Sequence, residues 1–177
     1  MTTGELTLPF REEDTRKREA FEQCVAIHRQ RVLLTAYRLV GTMADAQDVA
    51  QEVFLRLFQN LGHIEGEPLP WLYRVTINVC RDQLRRRKRR PESETHRDWA
   101  DPAPGPHRVL ELGERRRLMM AALDRLPDRE RAAIVLRDIE GLSTREVAAA
   151  LGVEEGTVRC QVSMARLKLA KYVRAES

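Results

Sequence analysis

The sequence predicts an all-α protein made of two small helical domains joined by a Pro-rich linker. Apolar residues recur at steps of three and four along most of the 177-residue chain, the period of an amphipathic helix, and no segment alternates like a strand. Between Pro91 and Pro106, prolines are mixed with Ser, Gly and charged residues that cannot continue a helix. The predicted segments are a tail (1–19), a first domain (20–90), a linker (91–108) and a second domain (109–177).

Three helices are predicted in the first domain from their apolar stripes. The stripe of the first helix comprises Phe21, Val25, His28, Val32, Ala36 and Leu39. The stripe of the second comprises Ala46, Val49, Val53, Leu57 and Leu61. The third helix is expected to bury Tyr73, Ile77, Cys80 and Leu84. Gly41 ends the first helix, a capping box of Thr42 and Asp45 starts the second, and Pro70 occupies the first turn of the third.

The second helix carries an unusual residue on the face opposite its buried stripe. That face contains Asp48, Glu52, Leu55 and Gln59. A single exposed leucine is common on protein surfaces. A leucine flanked by acids on one face can also mark a surface that binds a partner.

A basic stripe follows the outer side of the third helix. Its members, spaced by three or four residues or about one helical turn, are Arg74, Asn78, Arg81 and Arg85. The stripe runs into six consecutive cations at 85–90. A solvated charged face would usually mix in acids, but only Asp82 lies at the edge of this one. We therefore interpret the stripe as a surface for phosphate and base contact.

The second domain is predicted to begin with two helices. The first of them starts near Val109 and is marked by Leu112, Met119, Leu123 and Leu126. Residues that mark the second are Ala132, Ala133, Val135, Leu136 and Ile139. Pro127 separates the two helices, and Gly141 ends the second.

A helix-turn-helix follows Gly141. Ser143 and Glu146 form a capping box, and Gly152 allows the tight turn between the two helices. The last helix has an apolar stripe of Val158, Val162, Ala165 and Leu169. Residues off this stripe or on its borders are Thr157, Arg159, Cys160, Gln161, Ser163, Met164 and Lys168. This pattern predicts a helix that lies in the major groove of DNA.

Composition argues against several other classes of protein. Cys24, Cys80 and Cys160 are far apart and never form a Cys-x-x-Cys pair, which favours free thiols in a reducing cytoplasm. Cys24 and His28 are four residues apart, but their apolar neighbours make them core residues rather than metal ligands. No nucleophile–base or phosphate-loop spacing is present, so no catalytic residue, metal or cofactor is expected. The lack of a signal segment or a membrane-length apolar run predicts a cytoplasmic protein without membrane insertion.

Three segments, in this order, resemble bacterial sigma factors of the sigma-70 family. Residues 45–54 resemble the helix that binds core RNA polymerase, and residues 70–78 resemble the promoter-melting helix. Residues 126–159 resemble the C-terminal DNA-binding domain. The short length and the linker are similar to the extracytoplasmic-function group, which keeps only two domains. The resemblance extends over about residues 20–172.

This resemblance implies a protein without catalysis of its own, which binds RNA polymerase core, directs it to promoter DNA and initiates transcription in response to stress or an envelope signal. The implied core-binding residues are Asp48, Gln51, Glu52 and Leu55. The implied promoter-melting residues are His63, Arg74, Asn78, Arg81 and Arg85. The last helix would read the upstream promoter element. The protein would be a monomer when free of polymerase, and a separate anti-sigma factor would regulate it, since no further domain follows Ser177.

The last helix departs from the family pattern. Gln161 and Met164 stand where similar sigma factors place arginines, so we expect an upstream element that depends less on guanine. Arg159 and Lys168 would then hold phosphates. The alternative hypothesis is a stand-alone helix-turn-helix regulator that binds DNA without polymerase. Such a regulator needs a dimer interface and a sensor domain, and the first domain has neither a ligand-pocket signature nor a heptad seam. The linker pattern further predicts that the two domains move independently.

Overall fold

The computed structural model describes residues 12–89 and 109–175, and this part of the chain is helical without a strand. The predicted all-α class is thus confirmed. The helices are α1 (Glu12–Val40), α2 (Met43–Asn60), α3 (Pro68–Arg89), α4 (Val109–Asp124), α5 (Asp128–Ile134), α6 (Thr144–Leu151) and α7 (Glu155–Ala175). A 3-10 turn, Leu61–His63, follows α2, and a π turn, Val135–Ile139, continues α5. The predicted tail is helical from Glu12 onward, whereas the predicted linker, 91–108, lies outside the described residues.

Helices α1, α2 and α3 pack together around the predicted stripes. The buried members of those stripes include His28, Val32, Ala36, Leu39, Ala46, Val49, Val53, Leu57, Tyr73, Ile77 and Cys80. Cys24 and His28 are both buried in this core, as the sequence predicted. The burial of these apolar side chains is what holds the outer faces of α2 and α3 in place.

Local signals set the boundary between α1 and α2. Gly41 has a φ of +87°, which glycine adopts at no steric cost, and its N–H donates to the carbonyl of Tyr37 at 2.9 Å. The Thr42 hydroxyl accepts from the backbone N–H of Asp45 at 3.1 Å and caps α2. The Thr42 hydroxyl also donates to the Asp45 carboxylate at 2.7 Å. The predicted cap is therefore present, but the acid binds the hydroxyl rather than the backbone N–H that a full capping box uses.

The second domain differs from the sequence prediction in the register of α4. Met120 is 1% exposed, whereas Met119, the predicted core residue, is 40% exposed. Met119 is four residues before Leu123 and Met120 is three, so helical spacing alone allows either to face inward. In the structure α4 contacts α7, and Met120 is the residue that faces inward. Ile139, also predicted as a core residue, is 36% exposed at the end of the π turn.

The two domains pack against each other. Helix α3 contacts α6, and α1 contacts both α5 and the π turn. The buried Arg131 of α5 donates from Nη1 to the carbonyl oxygen of Leu39 in α1 at 2.9 Å. The expectation of independent domains came from the linker composition, which carries no information about the surfaces of the helices that it joins.

Candidate polymerase and nucleic-acid interfaces

The outer face of α2 brings together the four residues predicted to bind polymerase. Asp48, Gln51 and Leu55 are exposed and Glu52 is half-buried, while the opposite face of the helix lies in the core. The Glu52 carboxylate accepts a hydrogen bond from Nε of Arg56 at 2.7 Å. The result is a surface with two acids around an exposed apolar side chain, which we call the α2 face.

Phe58 extends the α2 face, although the sequence analysis did not single it out. Its side chain is 44% exposed, close to the 52% of Leu55. The Phe58 ring meets the Phe21 ring edge-on with centroids 5.2 Å apart, and the Lys17 ammonium lies 5.2 Å from the Phe58 centroid. The signal was available, because Phe58 is three residues after Leu55 and off the buried stripe.

The basic stripe of α3 is only partly open to solvent. Arg74, Asn78 and Arg85 are exposed, but Arg81 is half-buried. Burial lowers the pKa of Arg81, and the positive charges of Arg129 and Arg85 lower it further. Since Arg129 belongs to α5, the second domain lies close to the middle of the stripe.

The C-terminal end of α3 is also engaged with acids. Nζ of Lys88 lies 2.7 Å from Oδ2 of Asp128 at the start of α5. Nη1 of Arg87 lies 3.5 Å from Oδ2 of Asp45. We call the six consecutive cations at 85–90 the basic block. Its exposed arginines are Arg85, Arg86 and Arg89, and Arg90 lies outside the described residues. His63, in the 3-10 turn before α3, is exposed as well.

The predicted helix-turn-helix is formed by α6 and α7. Ser143 accepts from the backbone N–H of Glu146 at 3.2 Å, and the Glu146 carboxylate accepts from the backbone N–H of Ser143 at 2.7 Å, which confirms the capping box. Hydrogen bonds from the Ser143 hydroxyl and backbone lower the pKa of Glu146. Gly152 ends α6 in the left-handed conformation at φ +67°, so the sharp turn needs glycine there.

Most of the predicted DNA-contacting residues of α7 face solvent. Exposed members are Thr157, Arg159, Cys160, Ser163 and Met164. Gln161 and Lys168 are half-buried and flank the buried stripe instead. Nζ of Lys168 binds Oε1 of Glu130 at 2.7 Å, and Oε1 of Gln161 is buried without a hydrogen-bond partner among the described residues. Both residues lie three positions after a buried stripe residue, which places them on the borders of that stripe.

Arg166 belongs to the same surface, and the sequence analysis missed it. Its Nε and Nη2 donate to the two carboxylate oxygens of Asp138 at 2.8 and 2.7 Å. It lines an open groove of about 600 Å³ together with Arg137, Thr144, Arg159 and Ser163. The sequence signal is its spacing, since Arg166 lies seven residues after Arg159 on the same side of the helix. Three arginines around one groove give this side of the helix-turn-helix a positive surface.

Other kinds of site receive no support within residues 12–89 and 109–175. That part of the chain contains no group of three or more His, Cys, Asp or Glu side chains arranged to hold a metal ion. Burial raises the pKa of the Cys24 thiol and lowers that of His28, as expected for core residues. Over the same residues, no helix is both long and apolar enough to cross a membrane.

Comparison with known proteins connects both domains to one family. The family model Sigma-70 region 2 matches residues 24–90, and Sigma-70, region 4 matches residues 116–169. The chain is 39% identical over 166 residues to the ECF RNA polymerase sigma factor SigE of Mycolicibacterium smegmatis, covering 89% of this chain and 63% of that protein. It is 31% identical to the RNA polymerase sigma-H factor of Pseudomonas aeruginosa, covering 87% of this chain and 86% of the relative.

A solved structure agrees with these relatives. The fold matches CnrH, solved in complex with the cytosolic domain of CnrY, with a TM-score of 0.68 and 26% identity over 90% of this chain and 91% of CnrH. The matches extend over the acidic and apolar α2 face, the basic α3 and the helix-turn-helix, and they do not favour a stand-alone DNA-binding regulator. Since both sigma-70 regions match in order and the relatives exceed 30% identity, the protein belongs to the sigma-70 family, as an alternative RNA polymerase sigma factor of the extracytoplasmic-function group.

Proposed function

We propose that this sigma factor holds core RNA polymerase through the α2 face and applies α3 and α7 to promoter DNA. The observation that carries the proposal is the separation of charge between helices. Asp48 and Glu52 lie on the outer face of α2, whereas α3 carries the exposed Arg74, Arg85, Arg86 and Arg89, and the groove beside α7 is lined by arginines. Acids repel the phosphate backbone and arginines attract it, so the α2 face suits a protein partner and the other two surfaces suit DNA.

The α2 face has the composition of a protein-binding patch. Leu55 and Phe58 supply exposed apolar area at its centre, and Asp48, Gln51 and Glu52 supply a polar rim. Apolar and aromatic side chains at the centre of an interface typically carry most of its binding energy, while rim charges set the partner and the rate of association. We therefore expect a complementary partner surface with basic residues around an apolar site.

On the promoter side, α3 provides both phosphate and base contacts. Arg74 and Arg85 are exposed cations suited to the backbone, and Asn78 lies between them with an amide that can pair with base edges. His63 is exposed in the turn before α3 and would act beside them. Together with Arg81, these residues would engage and open the promoter near the start site.

On the upstream element, α7 would lie in the major groove. Its exposed residues are Thr157, Arg159, Cys160, Ser163 and Met164. In this placement Arg166 would add a second cation, beside Arg159, on the protein groove that both residues line. The half-buried Gln161 and Lys168 are less well placed for contact than the sequence suggested.

The chain would act as an initiation factor in the cytoplasm without catalysis of its own, and it would be held inactive by a separate anti-sigma factor until a stress or envelope signal arrives. CnrH, which has the same fold, was solved with a separate protein bound to it.

A charge-reversal experiment tests the assignment of the α2 face. The double variant Asp48→Lys/Glu52→Lys should lose binding to sigma-free core polymerase, measured by gel filtration or fluorescence anisotropy. Circular dichroism should show an unchanged helix content, because Asp48 is exposed and the part-exposed Glu52–Arg56 ion pair that the variant breaks typically contributes less than about 1 kcal/mol. The matched control is Glu65→Lys/Glu67→Lys, which makes the same charge change on exposed loop residues of the same domain. Equal core binding by the double variant and its control would overturn the assignment.

A further inference from the structure

Glu140 of the second domain lies in a pocket built by the first domain. It follows the π turn and directly precedes the helix-turn-helix, and its side chain is 7% exposed. Its Oε1 accepts from Nη1 of Arg38 at 2.7 Å and from the hydroxyl of Thr35 at 2.9 Å. Its Oε2 accepts from the hydroxyl of Tyr73 at 2.8 Å, and Nε of Arg31 lies 3.8 Å away. All four partners belong to α1 and α3.

This contact depends on the two domains being together. A buried carboxylate is tolerated only when it is paired and hydrogen-bonded, and Glu140 finds those partners across the domain boundary. Thr35 is 0% exposed and Tyr73 is 1% exposed, so their hydroxyls also rely on Glu140 for a partner away from water. Burial raises the pKa of Tyr73, and the hydrogen bond to Glu140 raises it further, which keeps the phenol protonated as the donor.

The same packing places the second domain on the DNA-binding stripe of α3. Helix α6 packs on α3, Arg81 is half-buried close to Arg129, and Lys88 is paired with Asp128 at 2.7 Å. A polyanion approaching α3 in this arrangement would meet an Arg81 that is only half-exposed. It would also have to displace Asp128 from Lys88.

We propose that Glu140 is an intramolecular lock, which keeps the free chain in a closed arrangement where the second domain covers part of the α3 stripe. Full contact of the stripe with DNA requires this lock to open. The consequence for DNA rests on the function proposed for α3, whereas the lock itself does not.

The lock is tested by the distance between the two domains. Spin labels are placed on Cys160, the exposed native cysteine of α7, and on the exposed α2 position of an Ala44→Cys variant, while Cys24 and Cys80 are buried. Electron–electron resonance should give one narrow distance distribution for the otherwise native protein. Glu140→Ala should give a broad distribution that extends to longer distances.

Two milder variants guard against misfolding. Thr35→Val and Tyr73→Phe each delete one hydroxyl and should broaden the distribution less than Glu140→Ala does. The matched control is Glu154→Ala, which removes an exposed acid from the same domain. A narrow, native-like distribution in Glu140→Ala, or equal broadening in the control, would overturn the lock. If Glu140→Ala loses helix content, the two hydroxyl variants test the lock in its place. Native-like distance distributions in those two variants would then overturn the lock.

The consequence for DNA is tested without polymerase, so that failure of the polymerase assignment cannot affect the result. The probe is a fluorescein-labelled duplex of mixed sequence, titrated at several salt concentrations. Glu140→Ala should bind it several-fold more tightly than Glu154→Ala, which has the same net charge. If Glu140→Ala opens the domains and binds no more tightly than that control, the second domain does not obstruct the stripe, and this part of the proposal is wrong.

Discussion

Arg166 and Asp138 form an ion pair with two parallel hydrogen bonds, Nε to Oδ2 at 2.8 Å and Nη2 to Oδ1 at 2.7 Å. The pair connects the middle of α7 to the π turn that precedes the helix-turn-helix. A bidentate contact fixes the plane of a guanidinium as well as its position. Asp138 therefore fixes the orientation of the Arg166 guanidinium along the groove.

The first prediction concerns the pH dependence of this pair. The hydrogen bonds from Arg166 lower the pKa of Asp138 below its ordinary value of about 3.9, and partial burial opposes that shift only in part. A carboxylate whose pKa is lower in the folded state adds stability that is present above its unfolded pKa and is lost as the pH falls through its folded pKa. Asp138→Asn should therefore lower the melting temperature at neutral pH, and the difference from the native protein should shrink below about pH 4.

The control for this experiment is Glu154→Gln, which neutralises an exposed acid in the turn between α6 and α7. It should change the melting temperature less than Asp138→Asn does at neutral pH. If the difference in melting temperature between Asp138→Asn and the native protein stays constant from neutral to acid pH, the charge of Asp138 is not the cause of the lost stability.

The second prediction concerns base preference at the upstream element. Met164 is 42% exposed, whereas Gln161 is half-buried beside the core stripe of α7. Met164→Arg should shift preference toward guanine at one base pair by about 1–3 kcal/mol, because arginine pairs with guanine through two hydrogen bonds. Gln161→Arg should shift it less. Selection from randomised upstream elements measures both, and a larger shift from Gln161→Arg would contradict the placement of these side chains.

The third prediction concerns stability. The side-chain oxygen of Gln161 is buried and lacks a hydrogen-bond partner among the residues described. Gln161→Met keeps the shape of the side chain and removes that acceptor, so the free energy of unfolding should rise by about 1 kcal/mol. Urea denaturation should show a higher midpoint with an unchanged slope. Ser163→Met, an exposed change on the same helix, should leave the midpoint nearly unchanged, and a lower midpoint for Gln161→Met would refute the prediction.

The fourth prediction concerns the basic block at the end of α3. Arg85, Arg86 and Arg89 are exposed, while Lys88 is held by Asp128 and Arg87 by Asp45. Replacing the three exposed arginines by Ala should weaken binding to all promoters alike. It should also reduce the salt dependence by about 0.9 log units of slope per lost phosphate contact.

The matched control for that triple variant replaces three exposed arginines of α1, Arg16, Arg18 and Arg29. Titrations of duplex DNA at several salt concentrations compare the two variants. A change in which promoters are preferred, rather than a uniform loss, would mean that the block reads bases instead of holding phosphates.

Local chemistry made much of this fold predictable from the sequence. The Ser143 cap, the left-handed Gly152 and the apolar stripes depend on residues within one or two helical turns of each other. Spacing alone did not decide whether Met119 or Met120 of α4 faces inward, or whether Gln161 is exposed or half-buried. Both outcomes depend on which helix packs against these residues. The hydrogen bonds of Glu140 join residues 67 to 105 positions apart, and no local pattern encodes such a contact.

The central claim is that this chain gives promoter selection to core RNA polymerase, and transcription in vitro tests it most directly. The purified protein is added to sigma-free core polymerase with a library of fragments from the source genome, and the 5′ ends of the transcripts are mapped. Discrete start sites should appear that need the added chain and are lost with Asp48→Lys/Glu52→Lys. An absence of discrete start sites with a chain that still binds DNA would contradict it.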